Sequence, residues 1–118
     1  MTNTQASQFV TALFREVFEQ FDRKKVEKFF SKDMTGFLLS EPADFDSIIK
    51  WMDRLEANYD RLESTVHQVI VEGHKIAAVV NIKLHSSNGD DESPYTSICI
   101  FMEHNGKGKV IRWRTFTS

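Results

Sequence analysis

The stretch "VEKFFSKDMTGFLLSEP", Val26–Pro42, changes character half-way along. Its first half is mostly charged apart from Val26, Phe29 and Phe30, a spacing that predicts one buried face of a short helix. Its second half contains "TGFLL", a run typical of a strand, in which no side chain can ionise. If this strand lines a pocket, it brings no acid or base to it. The same residues therefore bear on both the fold and the chemistry.

Helical patterns precede and follow this stretch. Upstream, apolar residues recur at spacings of three and four, which predicts an amphipathic helix over residues 4–21. Asp22 is the expected N-cap of a second helix over residues 23–30. Asp44 or Asp46 is expected to cap a third helix. The apolar side of that third helix comprises Ile48, Trp51, Met52, Leu55 and Tyr59.

Strand patterns fill the second half of the chain. The predicted strands are residues 62–73, 75–85, 95–104 and 109–118. The last two are joined by "NGKG", a strong hairpin signal. A polar loop at 86–94, with Asn88-Gly89 as turn residues and Pro94 at its end, separates the two pairs. Three helices followed by a long, mostly antiparallel sheet predict a single α+β domain over residues 1–118.

The composition is that of an ordinary globular domain. The chain has 118 residues, with 15 Lys and Arg against 17 Asp and Glu, so it lacks the basic excess of nucleic-acid or membrane-surface binders. No apolar run reaches the roughly 18 residues of a membrane span. Cys99, the one cysteine, makes no internal disulfide, and the N-terminus shows no secretory signal. A cytoplasmic location is therefore expected.

The order of elements and two short motifs resemble a known superfamily. The motifs are Phe-Phe-x-x-Asp, residues 29–33, at the end of the second helix, and Gly-Lys-Val, residues 108–110, at the start of the last strand. Over nearly the whole chain they resemble the nuclear transport factor 2-like superfamily, and within it the ketosteroid isomerase and SnoaL-like polyketide cyclase branch. The resemblance implies a curved sheet wrapped around the helices as a cone, with a pocket at its mouth. It also implies homodimers that pair through the outer sheet face.

The catalytic positions of that family are apolar in this sequence. Ketosteroid isomerases use a helix-borne Tyr, an Asp base on the first strand and a protonated Asp on a late strand. The resemblance places these positions on Phe14, Leu38 and Ile100. A Leu takes up no proton, and losing a single oxyanion donor costs about 100- to 1000-fold in rate. The steroid-isomerase reaction is therefore not expected, and the missing late-strand acid also weighs against an aldol cyclase.

The alternation of strand residues predicts which side chains face the cone. On the last strand it sends Ile111, Trp113 and Thr115 inward. Two interpretations fit this nearly uncharged interior: an apolar cavity whose ligand is anchored by Tyr59, Thr115 or Trp51, or a cone filled as a packed core. The candidate ligand-binding residues are Phe14, Phe18, Leu38, Trp51, Leu55, Tyr59, Val80, Ile82, Ile98, Ile100, Met102, Trp113 and Thr115.

Three residues are weaker candidates for catalysis. His67 is a general base near neutral pH if it faces the pocket. Asp53 and Tyr59, on or beside the third helix, could supply another acid or base. The four histidines include no pair at ligand spacing and Cys99 has no companion, so neither a metal nor another cofactor is predicted.

The outer face of the last strands is the expected dimer surface. Tyr95, Cys99, Phe101 and Phe116 are predicted to point outward there among charged residues, a mixture typical of protein interfaces. Three functions remain open at this point. They are a binder of a small apolar molecule without the isomerase groups, an isomerase, dehydratase or cyclase with a different acid–base set, and a dimeric interaction module with a filled pocket.

Overall fold

The computed structural model describes residues 1–86 and 95–117, so Asn88-Gly89 and Pro94 of the predicted polar loop lie outside the described residues. Its α-helices are α1 (Asn3–Leu13), α2 (Val26–Phe29) and α3 (Phe45–Asn58). Its strands are β1 (Phe30–Leu38), β2 (Glu41–Asp44), β3 (Arg61–Glu72), β4 (Lys75–His85), β5 (Thr96–His104) and β6 (Val110–Thr117). No helix in the described ranges is long and apolar enough to cross a bilayer.

The strands form one six-stranded sheet in the order β2-β1-β6-β5-β4-β3. β1 and β6 run parallel, and every other neighbouring pair is antiparallel. The predicted α+β class, with a curved, mostly antiparallel sheet and three helices, is confirmed. β2 was not predicted from the sequence. It contains Pro42, and its place at the edge of the sheet tolerates a residue that has no backbone N–H.

The first helix changes its winding where the cone begins. A helix was predicted over residues 4–21, but α1 ends earlier and a π-helical turn, Phe14–Phe18, follows it. In that turn Glu19 N donates to Phe14 O over 2.8 Å, one residue farther along the chain than in an α-helix. Phe14 and Phe18 are both fully buried, with ring centroids 5.0 Å apart. The wider turn thus points both rings into the core.

The second helix is shorter than predicted and the first strand is longer. Residues 23–25 form a 3-10 turn, in which the Asp22 carboxylate accepts a backbone hydrogen bond, and α2 then ends at Phe29. Phe30, predicted as the last helical residue, instead pairs with Val110 as the first residue of β1. This pairing buries Phe30 completely and overrides the local helical pattern.

α3 begins after Asp44, one of the two predicted caps. The Asp44 carboxylate accepts from Ser47 N over 3.0 Å, and Asp44 N donates to the Ser47 hydroxyl over 3.0 Å. These hydrogen bonds from Ser47 lower the pKa of Asp44. The cap sets where the helix starts and hence which side chains, Trp51 and Leu55 among them, face the sheet.

Burial follows the predicted strand alternation over most of β4, β5 and β6. Of the residues of β4 and β5 predicted to face inward, Val80, Ile82, Ile98, Ile100 and Met102 are buried, and Leu84 is half-buried. On β6 a register irregularity opposite His104 buries Val110, whereas Ile111, predicted to point inward, is only half-buried. Beyond the irregularity Trp113 and Thr115 are buried. An extra residue in the pairing therefore shifted the inner face by one position at the start of the strand.

Candidate functional site

A cavity of about 830 Å³ opens between α3 and the inner face of the sheet. Its walls come from the π-helical turn, the end of β1, α3 and the facing parts of β4, β5 and β6. Pockets that hold a drug-sized molecule typically measure about 300–1,000 Å³. The cavity falls within this range.

Eight of the thirteen candidate ligand-binding residues line this cavity. They are Phe14, Leu38, Trp51, Leu55, Ile82, Ile98, Trp113 and Thr115. Trp51 and Leu55 lie one turn apart on the same side of α3, and the strand residues alternate on the inner face of the sheet. Periodicity therefore predicted where these residues lie. That they bind a ligand stays a prediction.

The other five candidates lie elsewhere. Phe18, Val80 and Ile100 are completely buried in the core behind the cavity wall. Met102 is buried as well and borders a groove on the opposite face of the sheet. Tyr59 is half-buried after the end of α3, where its backbone N–H closes the last turn. Strand and helix periodicity predict on which face of its element a residue lies. They do not distinguish a residue that lines the cavity from one that is buried in the core behind it.

Thr115 is the polar group at the centre of the inner face. In the register of the sheet it lies between Leu38 on β1 and Ile100 on β5, the two positions where the resemblance places carboxylates. Its hydroxyl accepts a hydrogen bond from Leu39 N over 3.2 Å, so the hydroxyl proton remains available for donation. The cavity therefore offers a neutral donor where ketosteroid isomerases hold acids.

Trp113 lies two residues earlier on the same strand. Its ring packs against those of Phe30 and Phe18, with centroids 5.3 Å and 6.2 Å apart. Its Nε1 is buried and has no hydrogen-bond partner within the described part of the chain. Leaving such an N–H unpaired costs about 1–3 kcal/mol. Because protein atoms enclose this nitrogen, it is not a donor to a molecule in the cavity.

The ionisable residues of the cavity lie at its mouth. Among the described lining residues they are Glu41, Lys50 and Arg54, and all three are exposed. Lys50 and Arg54 are one turn apart on α3, and no described carboxylate lies within ion-pair distance of either side chain. The deep part of the cavity is therefore free of acids and bases, and its mouth carries more positive than negative charge.

Two of the catalytic candidates lie outside the cavity. His67 is exposed at an irregularity in β3 and borders a shallow depression beside α1. Asp53 is exposed on the solvent side of α3, where Arg23 pairs with it and, over 2.7 Å, with Glu56. The two carboxylates raise the pKa of Arg23. The extra residue in β3 turns His67 away from the pocket, and two residues along a helix place Asp53 about 200° around the axis from Trp51, so neither side chain reaches the cavity.

A pair of histidines lies at the other end of the sheet from the cavity mouth. The rings of His74 and His104 have centroids 4.7 Å apart, and Nδ1 of His104 accepts from Gly106 N over 3.1 Å. Burial, followed by the charge of His74, lowers the pKa of His104. Within residues 1–86 and 95–117, no three His, Cys, Asp or Glu side chains are grouped as metal ligands.

The outer face of the sheet carries a second groove, of about 790 Å³. A row of directly opposite residues crosses it on five strands: Phe37, Arg114, Phe101, Ala77 and Ile70. We call this the outer row. Phe101 and Ile70 are 52% and 59% exposed, and the Arg114 guanidinium lies 4.8 Å from the centre of the Phe37 ring. Phe101 and Phe116 point outward, as their alternation predicts.

Several residues of the cavity were not predicted. Lys50 and Arg54 precede Trp51 and Leu55 in the sequence by one position each, so the helical period could have placed them near the predicted lining. Leu39 has a φ of +58° where the chain turns from β1 into β2. Left-handed backbone at a leucine carries no local sequence signal, and this part of the mouth was therefore missed.

Comparisons with known proteins find matches in structure but not in sequence. No protein-family model and no curated protein matches the chain. Its structure is similar to a candidate SnoaL-like polyketide cyclase from Jannaschia sp. CCS1, with a TM-score of 0.75 and 21% identity over 98% of this chain and 87% of that one. It is also similar to an LEH-like epoxide hydrolase from M. tuberculosis, with a TM-score of 0.74 and 16% identity over 98% and 84% of the two chains.

A third similar structure settles the assignment of the fold. It is a hypothetical protein from Catenulispora acidiphila DSM 44928 with a ketosteroid isomerase-like fold, in complex with trimethylamine. The TM-score is 0.73 with 13% identity, over 93% of this chain and 85% of that one. The chain has the nuclear transport factor 2-like fold. Identities this low establish the fold alone.

Proposed function

We propose that the protein binds a small, mainly apolar molecule in the cavity, with an oxygen atom of that molecule accepting a hydrogen bond from Thr115. The observation that carries this proposal is the cavity itself: about 830 Å³ with apolar deep walls and a hydroxyl whose proton has no acceptor among the described residues. Burying apolar surface contributes about 25 cal/mol per Å². The hydrogen bond contributes mainly orientation and specificity.

An isomerase, dehydratase or cyclase with another acid–base set has less support. A general acid or base has to come within about 3 Å of the atom it serves, directly or through one water. The side chains of His67 and Asp53 are exposed to solvent outside the cavity. Glu41 lies at the exposed mouth of the cavity. Tyr59 does not line the cavity either. Binding therefore stands ahead of catalysis.

Native mass spectrometry of protein purified directly from cell extract tests binding without a choice of ligand. We expect part of the protein to carry an added mass of roughly a few hundred daltons, the size that such a cavity holds. Nile red, a neutral dye that fluoresces in apolar surroundings, then reports on the emptied cavity. Protein with no added mass and no saturable dye binding would contradict the proposal.

Leu38→Trp is expected to weaken Nile red binding about tenfold or more, because the larger ring occupies space that the dye needs. Phe37→Trp is the matched control, since the preceding residue of the same strand faces the outer groove. Fluorescence titration of both variants, with thermal melts to check folding, measures the difference. Unchanged binding in Leu38→Trp, or an equal loss in both, counts against a dye in the cone.

We also propose that two copies of the protein pair through the outer groove. The exposed side chains of the outer row form an apolar strip, which is an unfavourable solvent surface. Beside it Arg112 pairs with Glu103 over 3.0 Å, so each copy presents both signs of charge. A two-fold axis through the strip would place the apolar strip of one copy against the same strip of the second copy.

Phe101→Glu is expected to weaken such a dimer about 100-fold or more, because it buries an unpaired charge at the centre of the contact. Ala57→Glu, an exposed position on α3, is the control that makes the same change of charge elsewhere. Sedimentation velocity over a range of concentrations measures the dissociation constants. A wild-type protein that remains monomeric at about 100 μM excludes the dimer.

A cytoplasmic location remains part of the proposal. It is supported by Cys99, which is half-buried on β5 and makes no disulfide within the chain. Free cysteines are typical of reducing compartments.

A further inference from the structure

We infer that the molecule in the cavity is an anionic amphiphile, with an apolar body inside the cone and a carboxylate at the mouth between Lys50 and Arg54. This inference rests on the proposed function and adds the chemical class of the ligand to it. A fatty acid, or any acid with a long apolar body, has this chemistry.

The two cations at the mouth have no carboxylate partner among the described residues, whereas Arg23, beside the same helix, has two. Arg23 engages both Asp53 and Glu56, which are the carboxylates on the solvent side of α3. Lys50 and Arg54 have no carboxylate within ion-pair distance in the described ranges. Two like charges one turn apart weaken a helix slightly. A bound anion would remove this repulsion.

The described acidic groups near Lys50 and Arg54 form no ion pair with them. Glu41 lies on the same mouth but outside ion-pair distance, and Asp44 is engaged by Ser47, with Lys50 only a lesser cause of its lowered pKa. The mouth therefore keeps a positive balance. An amine or other cationic ligand would meet two cations and one carboxylate there, which disfavours it.

The polar groups that the cavity offers to a ligand are mainly donors. The Thr115 hydroxyl accepts from Leu39 N and keeps its proton for donation. Ammonium and guanidinium groups at the mouth are donors as well. A ligand rich in acceptor oxygens can accept from all three groups, whereas a ligand that only donates finds its acceptors in the Thr115 oxygen and in Glu41.

The position of the charge follows from solvation. Moving a carboxylate from water into a dry protein interior costs several kcal/mol of solvation free energy unless the group is fully paired there. At the mouth it stays partly hydrated while the two cations hold it, and the apolar chain displaces water from the deep walls. The ligand therefore enters with its apolar end first.

The test compares dodecanoate with dodecan-1-ol, which has the same chain but no charge, as competitors of Nile red. We expect the double variant Lys50→Gln/Arg54→Gln to bind dodecanoate about five- to tenfold more weakly than the wild type. Its affinity for dodecan-1-ol and for Nile red should stay within about twofold, which also shows that the variant is folded. A control variant, Lys32→Gln/Lys107→Gln, removes the same charge from exposed positions away from the cavity.

Each result has one meaning. Loss of dodecanoate binding in the Lys50/Arg54 variant alone supports the inference. An equal loss in the control variant, or no loss in either, overturns it while binding of the dye still supports the cavity. If Nile red itself does not bind the wild type, the proposed function fails first. Displacement of the dye by the alcohol but not by dodecanoate overturns the anionic class of ligand.

Discussion

Gly36→Ala is expected to lower the free energy of unfolding by about 3 kcal/mol or more. A Cβ at this position lies 1.7 Å from the backbone oxygen of Trp113 and 2.7 Å from its carbonyl carbon. Gly36 and Trp113 are partners in the parallel pairing of β1 with β6, so the clash pushes these two strands apart. Urea unfolding followed by circular dichroism measures the loss.

Gly73→Ala is the matched control for this substitution. Gly73 has a φ of +58° in the turn between β3 and β4, and a Cβ there meets nothing within 4 Å. The cost is then only that of left-handed backbone, about 1–2 kcal/mol. If Gly36→Ala costs no more than this control, the two strands separate slightly at little cost and the close approach is not essential.

Phe18→Ala is expected to cost about 3–5 kcal/mol, the range for truncating a large, fully buried aromatic side chain. The Phe18 ring has centroid distances of 5.0–6.3 Å to the rings of Phe14, Trp51, Trp113 and Phe30. It therefore joins the π-helical turn, α3 and two strands in one cluster. Thermal or urea unfolding of the variant measures the effect.

Phe9→Ala is the comparison for Phe18→Ala, because Phe9 lies one helix earlier and is only half-buried. We expect it to cost about 1 kcal/mol, in proportion to the smaller apolar area that it removes from water. Equal losses would mean that the ring cluster around Phe18 is not the centre of the core. The pair also tests whether Phe18 serves the core rather than the ligand.

The inner face of this sheet shows how a cavity can persist where the acid–base groups of a ketosteroid isomerase are missing. Leu38 and Thr115 line the cavity, while Ile100 lies behind them in the core. A single hydroxyl between two apolar side chains can orient a ligand oxygen but does not move a proton near neutral pH. We therefore propose binding rather than proton transfer for these residues.

Much of the fold could be predicted because each element buries a periodic apolar face. The spacing of Trp51 and Leu55, and the alternation of Ile98 and Ile100, depend only on 3.6 and 2 residues per repeat. The positions of Phe30 and Val110 could not be predicted in this way. Their pairing, across 80 positions of sequence, decided where α2 ends and which residue of β6 is the first to face inward. No local sequence pattern reveals so distant a partner.

The sequence by itself determined the α+β class, the nuclear transport factor 2-like resemblance and the apolar nature of the cone, since these follow from periodicity and residue type. Only the tertiary structure decided that the cone holds an open cavity, that Phe18 and Ile100 lie behind its wall, and that Lys50 and Arg54 stand at its mouth. Depth in a core and distance across a cavity depend on how distant segments pack. A periodic pattern gives the direction of a side chain, and packing decides what it meets.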